Sequence, residues 1–98
     1  MKKDILEHFT SEICDLFSIK RESFFKKSKK REFSDARYLL YYLCERRKIQ
    51  LCYIEKYMVE NGYHITHSTL RHGIKSVIKK INEDSDYETV IRSIERTV

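Results

Sequence analysis

The chain has 98 residues, 41% of them hydrophobic and 36% charged, with a formal net charge of +5. That length holds one domain with a single modest core, residues 1–98, and apolar residues recur too evenly for a disordered chain. The longest apolar run, YLLYYLC at 38–44, is far too short to cross a bilayer, and MKKDILEHF lacks the apolar stretch of a signal peptide, so no membrane partner is expected. Three cysteines at wide spacings, Cys14, Cys44 and Cys52, suit a reduced, cytoplasmic protein.

The charge is unevenly placed. Residues 20–48 carry 11 Lys or Arg against 4 Asp or Glu, whereas residues 1–19 and 81–98 sum to −2 and −3. A basic middle between acidic ends predicts one cationic face, of the kind that attracts phosphate polyanions. A solvated surface is the plainer meaning of any single charge run.

With no proline, two glycines and little strand-like alternation, the chain is expected to be all-α, with five or six helices. The first helix covers about 3–17, with Ile5, Phe9, Ile13, Leu16 and Phe17 as its stripe. A turn and short helix carry Phe24 and Phe25, and KKSKKRE at 26–32 is expected to be a loop. Ser34 is placed to cap a helix running to about Arg47 that buries Ala36, Leu39, Leu40, Leu43 and Cys44. Tyr38, Tyr41 and Tyr42 divide between its core and rim. A third long segment, about 50–60, turns Leu51, Ile54, Tyr57 and Met58 inward and ends at Asn61-Gly62, a strong turn dipeptide. Thr66 is then an N-cap for a helix to about Ile81, with Leu70, Ile74, Val77, Ile78 and Ile81 inward. Ser85 and Glu88 have capping-box spacing, and the last helix presents Val90, Ile91, Ile94 and Val98.

The segments at 50–60 and 66–81, joined by a glycine turn, have the organisation of a helix-turn-helix, whose second helix enters the DNA major groove with its N-terminal half. That half is polar: Thr66, His67, Ser68, Thr69, Arg71, His72 and Lys75. Hydroxyl and imidazole groups bond base edges or phosphate oxygens, and cations neutralise phosphates. The stretch NGYHITHSTLRHGIK holds three of the four histidines. Zinc is the other use for them, with Cys52 as a fourth ligand. His67 and His72, however, are about 500° apart around a helix and align poorly on one ion, so no metal is expected.

From about Glu12 to Ile81 the chain resembles the C-terminal DNA-binding domain, domain IV, of the bacterial replication initiator DnaA. ICDLFSIKRESFFKKSKKRE is similar to that family's opening helix, short helix and basic loop. ARYLLYYLCER is similar to its long helix, which begins with a characteristic arginine, here Arg37. LCYIEKYM resembles the first helix of its helix-turn-helix, and HSTLRHGIKSVIKKI its signature. The resemblance implies a Trp-repressor-like or DnaA-like all-α fold with the helix-turn-helix at about 50–81. It implies that His67, Ser68 and Thr69 face bases and adjoining phosphates, that Lys30 and Arg31 approach the DNA backbone or minor groove, that Arg37 contacts phosphate, and that His72 and Lys75 flank the groove; Lys29, next to Lys30 in the basic run, is expected to neutralise phosphate with them. Two features depart from the family. Ile65 and Thr66 replace an Arg-Asp pair that helps choose the initiator's own box, and Ile cannot read guanine as Arg does. The turn is also about four residues longer. The chain has no GxxxxGK[ST] loop, so no nucleotide cofactor is expected.

The expected function is double-stranded, sequence-preferring DNA binding in transcription or replication control, by a small regulator in a bacterial or phage-infected cell. With roughly five to seven phosphates neutralised, log K falls with log salt at a slope of about −4.5 to −6. A second copy, as a homodimer, or a replication or transcription protein are the further partners considered. Two rival readings stay open: a helical protein-interaction adaptor that has lost DNA, and an RNA or single-strand binder using the seven tyrosines. No cysteine has an evident base beside it and no carboxylate pair has catalytic spacing, so an enzyme is not expected.

Overall fold

The apolar spacing is realised as six helices in a computed structural model that describes residues 2–27 and 30–96. In chain order they are α1 (Lys2–Phe17), α2 (Arg21–Phe24), α3 (Arg31–Arg46), α4 (Leu51–Glu60), α5 (His67–Glu83) and α6 (Ser85–Glu95), with no strand among the described residues. The radius of gyration is 12.3 Å, against about 13 Å for a compact domain of about this size. No helix among the described residues is long and apolar enough to cross a membrane.

Helix α3 is the centre. Its five expected core residues, Ala36, Leu39, Leu40, Leu43 and Cys44, are fully buried, as is Tyr41, while Tyr38 and Tyr42 lie half-buried at the rim. It packs most extensively on α5 and next on α1. Ion pairs at the edges repeat these contacts: Lys80 Nζ lies 2.8 Å from Asp35 Oδ1, and Arg46 Nε lies 3.1 Å from Glu95 Oε2. Helix α2 is clipped to α1 and α4 by Arg21, whose Nη2 donates to Glu7 Oε1 at 2.8 Å and Tyr57 Oη at 3.2 Å.

Three helices end in the same way. The N–H two residues beyond the C-cap bonds the carbonyl five residues back, and the residue between is left-handed. The bonds are Ile19 N to Cys14 O, Ile49 N to Cys44 O, and Tyr63 N to Met58 O. The left-handed residues are Ser18, Lys48 and Gly62, with φ of 54°, 59° and 87°. Asn61-Gly62 is thus a C-cap that reverses the chain after α4, and only there is the left-handed residue a glycine.

Four local expectations are corrected. Helix α3 starts at Arg31, not at Ser34; Lys30 is its N-cap and makes no side-chain cap bond. Arg and Glu are good helix formers, and Glu32 suits the positive end of the helix dipole. Helix α6 is capped by Asp84 rather than Ser85: its Oδ1 accepts from the Asp86 N–H at 3.0 Å. Leu16 and Ile78 are 49% and 44% exposed. At about 100° per residue each falls about 90° from the centre of its helix's buried stripe. Val98 lies outside the described residues.

Gly73 is where α5 meets α3. A Cβ there would lie 2.6 Å from Tyr38 Cδ1 and 3.0 Å from Tyr41 Cδ2. Glycine costs α5 about 1 kcal/mol of helix propensity against alanine, but a methyl would press on two rings, one of them fully buried. Gly73→Ala should therefore lower stability by about 1–2 kcal/mol, the overpacking cost exceeding the propensity gain; urea unfolding that shows a gain would contradict this close approach. Tyr87 offers the opposite case. Its buried hydroxyl has no hydrogen-bond partner among the described residues, so Tyr87→Phe should raise the melting temperature, by the equivalent of about 1 kcal/mol.

Candidate nucleic-acid interface

Thr66 is extended at φ −108° and ψ 162°, and its Oγ1 accepts the Thr69 N–H at 3.3 Å, the expected N-cap. Behind it, Tyr63 and Ile65 are half-buried against the core, so the 61–66 turn is anchored rather than loose. The buried side of α5 is Leu70, Gly73, Ile74 and Val77. Its opposite side exposes Ser68, Thr69, Arg71, His72 and Lys75. The polar half read from the sequence is therefore an outward face beginning at a capped helix end, where backbone N–H groups and the dipole favour anions.

Two histidines of this helix diverge. His67 is half-buried and its Nε2 lies 3.5 Å from Glu55 Oε2 on α4. The His72 and Tyr38 rings meet nearly at right angles, with centroids 5.9 Å apart, Tyr38 lying on α3. His64 is exposed on the turn.

The basic segment comes to the same place. Lys27 Nζ lies 5.5 Å from the centroid of the Tyr63 ring. A shallow groove of about 380 Å³ runs between them, lined by Lys27, Tyr63, His64, Ile65, Thr66 and Thr69. Lys30 and Arg31 are exposed beside it in sequence, Lys30 with its Nζ 5.8 Å from the Phe33 ring. Lys29 lies outside the described residues. On the other flank of α5, Arg71 and Lys75 share a second groove with Lys48 and the carboxylate of Glu45. Cations thus border the start of α5 on both sides.

Arg37 does not join them and is the main correction to the expected site. It is 3% exposed. Its Nη1 donates to the backbone carbonyl of Phe24 at 2.9 Å and to that of Lys26 at 3.3 Å, and its Nη2 lies 3.5 Å from Ser34 Oγ. The guanidinium also stacks over the Tyr63 ring, 4.7 Å from its centroid. A planar cation with five donors meets carbonyls and a ring face together, which an ammonium does poorly. Arg37 therefore ties the end of α2 and the start of the basic segment to the turn before α5, and leaves no donor plane turned outward for a phosphate.

Sequence reasoning missed Lys27, and weighed Tyr63 only as a turn residue that could replace the absent Arg-Asp pair, not as the ring between two cations. Lys27 looks like any other lysine of the run, and a tyrosine in a turn carries no mark of the two cations it will meet. Burial pushes the thiols of Cys14 and Cys44 upward, and Cys52 is exposed with Sγ 3.6 Å from Gln50 Oε1. No protein-family model matches the chain, and no curated protein matches it.

The buried guanidinium makes a direct prediction. Arg37→Lys should cost about 2 kcal/mol, because one ammonium cannot serve the Phe24 and Lys26 carbonyls and the Tyr63 face at once. Hydrogen exchange should quicken in 24–27 and 61–66 together. A variant as stable as the parent, with both segments unchanged, would contradict the role given to Arg37.

Proposed function

We propose that the protein binds double-stranded DNA as a helix-turn-helix regulator of transcription or replication, with α4, the 61–66 turn and α5 as the reading unit. The observation that carries this is the meeting of the exposed, capped start of α5 with the basic segment at Tyr63. In the proposed mode Ser68, Thr69, Arg71 and His72 address base edges and adjoining phosphates in the major groove. Lys27, Lys30, Arg31 and Lys75 neutralise the backbone. The resemblance of residues 12–81 to the DNA-binding domain of the DnaA initiator supports the same reading, on the HSTL segment and on the order of basic loop, long helix and paired helices. Because Ile65 and Thr66 stand where that family has Arg and Asp, the preferred sequence should differ from the initiator's box.

Selection from random duplex DNA at about 150 mM salt tests the reading, with Thr69→Ala and Arg71→Ala beside the parent. An enriched motif that both variants weaken is expected. With Arg37 withdrawn from the phosphate contacts, log K should fall with log salt at a slope of about −4 to −5. Lys27→Ala and Lys30→Ala should each flatten that slope by about 1 without changing the motif. Binding without enrichment would reduce the interface to a backbone binder. A folded protein that ignores duplex DNA, or prefers RNA of equal length, would overturn the proposal.

A further inference from the structure

Helix α1 carries opposite chemistry at its two ends. Near its start a groove of about 710 Å³ opens between α1 and α4. Its floor is Leu6, Tyr53 and Tyr57, and three lysines line it: Lys2, Lys3 and Lys56, with Glu60 as a carboxylate on the rim. Lys2 Nζ lies 4.1 Å from the Tyr53 ring centroid, and Tyr53 is 43% exposed. About 20 Å away along the same helix, Leu16 projects into solvent. It is the most exposed of the large apolar residues among those described, at 49%, and it stands at the edge of a groove shared with Val90 and Ile94 of α6. It is flanked on its own face by Glu12 and Asp15, one turn and one residue earlier.

The charges of α1 run against its dipole. Two lysines stand in the first turn beside Asp4, and the last turn holds Asp15 and no basic residue. An isolated helix is better served by the reverse order, and such local misplacements are expected where a residue serves something beyond its own fold. In a head-to-tail arrangement the same order becomes favourable. The acidic C-terminal end of one α1 then faces the lysines of the next, and the two dipoles align. An apolar knob with two carboxylates meets an apolar floor with three ammonium groups.

We propose that the protein self-associates head to tail, with the Leu16 end of α1 in one copy seated in the lysine-lined groove between α1 and α4 of the next. Such a contact is heterologous, so it builds a ring or an open array rather than a closed two-fold dimer. Neither surface includes the exposed face of α5, so the contact stands apart from the proposed DNA interface.

Sedimentation of the full chain without DNA tests this over a wide concentration range and at low and high salt. Association that weakens as salt rises is expected. Leu16→Ser, Asp15→Lys and Lys56→Glu each replace an exposed residue. Each should weaken association at least tenfold while circular dichroism and melting temperature stay as in the parent. The chain carrying both Asp15→Lys and Lys56→Glu should recover association to within about threefold, because the swapped charges again complement one another. So should an equimolar mixture of the two single variants. A monomer at every concentration overturns the proposal, and so does association indifferent to all three substitutions, or one the double swap fails to restore. A monomer that binds an acidic amphipathic peptide in the Lys56 groove would also overturn it, and would give the groove to a foreign segment.

Discussion

A buried guanidinium organises this protein. Taking an arginine out of water is costly unless its donors are met, and Arg37 meets them with the carbonyls of Phe24 and Lys26 and the face of Tyr63. Those partners belong to two segments far apart in sequence: the chain leaving α2, and the turn entering α5. Once Arg37 is fixed on the rigid α3, neither segment can move far without leaving a charge or a carbonyl unsatisfied. The position of Lys27 beside the start of α5 follows from that requirement rather than from any attraction between the lysines and the helix, which would repel one another's cations.

The second constraint is the absence of a side chain at Gly73. It lets α5 approach α3 until the Tyr38 and Tyr41 rings would touch a Cβ. The approach sets both the depth of α5 and its rotation. Leu70, Ile74 and Val77 then face inward, and Arg71, His72 and Lys75 must face outward, because a helix has only one buried side. Tyr38 works on both sides of this contact: it packs beneath Gly73 and meets the His72 ring nearly at right angles. The cap at Thr66 and the reversal at Gly62 fix where α5 begins, so its exposed face starts at a defined point.

Helix number, helix type and the cores of α3 and α5 were legible because their apolar spacing repeats over several turns. Thr66 was legible because a threonine just before a helical run has one common use. The failures share a cause. Ser34 and Ser85 were plausible caps, but a helix starts wherever the last favourable residue permits, and Arg31 and Ser85 were both acceptable first helical residues. Leu16 and Ile78 lie at stripe edges, where burial depends on whether a neighbour reaches that far. Arg37 was expected outside because the resemblance gave it a phosphate. Its burial required carbonyls and an aromatic ring that only the tertiary structure brings together, and the resemblance that assigned it to a phosphate carried no information about Tyr63.

The charge of the sequence also overstates the charge of the surface. Residues 20–48 are strongly basic, yet the fold commits several of those cations to its own structure. Arg21 goes to Glu7, Arg46 to Glu95, and Arg37 to the interior. From the following segment, Lys80 goes to Asp35. Glu7 and Glu95 come from the acidic ends of the chain, so those ends neutralise the basic middle at its back and sides. What stays exposed at the start of α5 is a smaller set, including Lys27, Arg71 and Lys75, with Lys30 and Arg31 exposed next to Lys27 in sequence. The exposed cations are therefore fewer than the composition suggests, and they fall on more than one face, the Lys2, Lys3 and Lys56 groove among them. Carboxylates stand at this face too: Glu45 lines the groove of Arg71 and Lys75, and Glu55 on α4 is the one that His67 approaches. His67, the first residue of α5, turns its Nε2 toward Glu55 of α4, so the two helices meet through a polar contact at the edge of the exposed face.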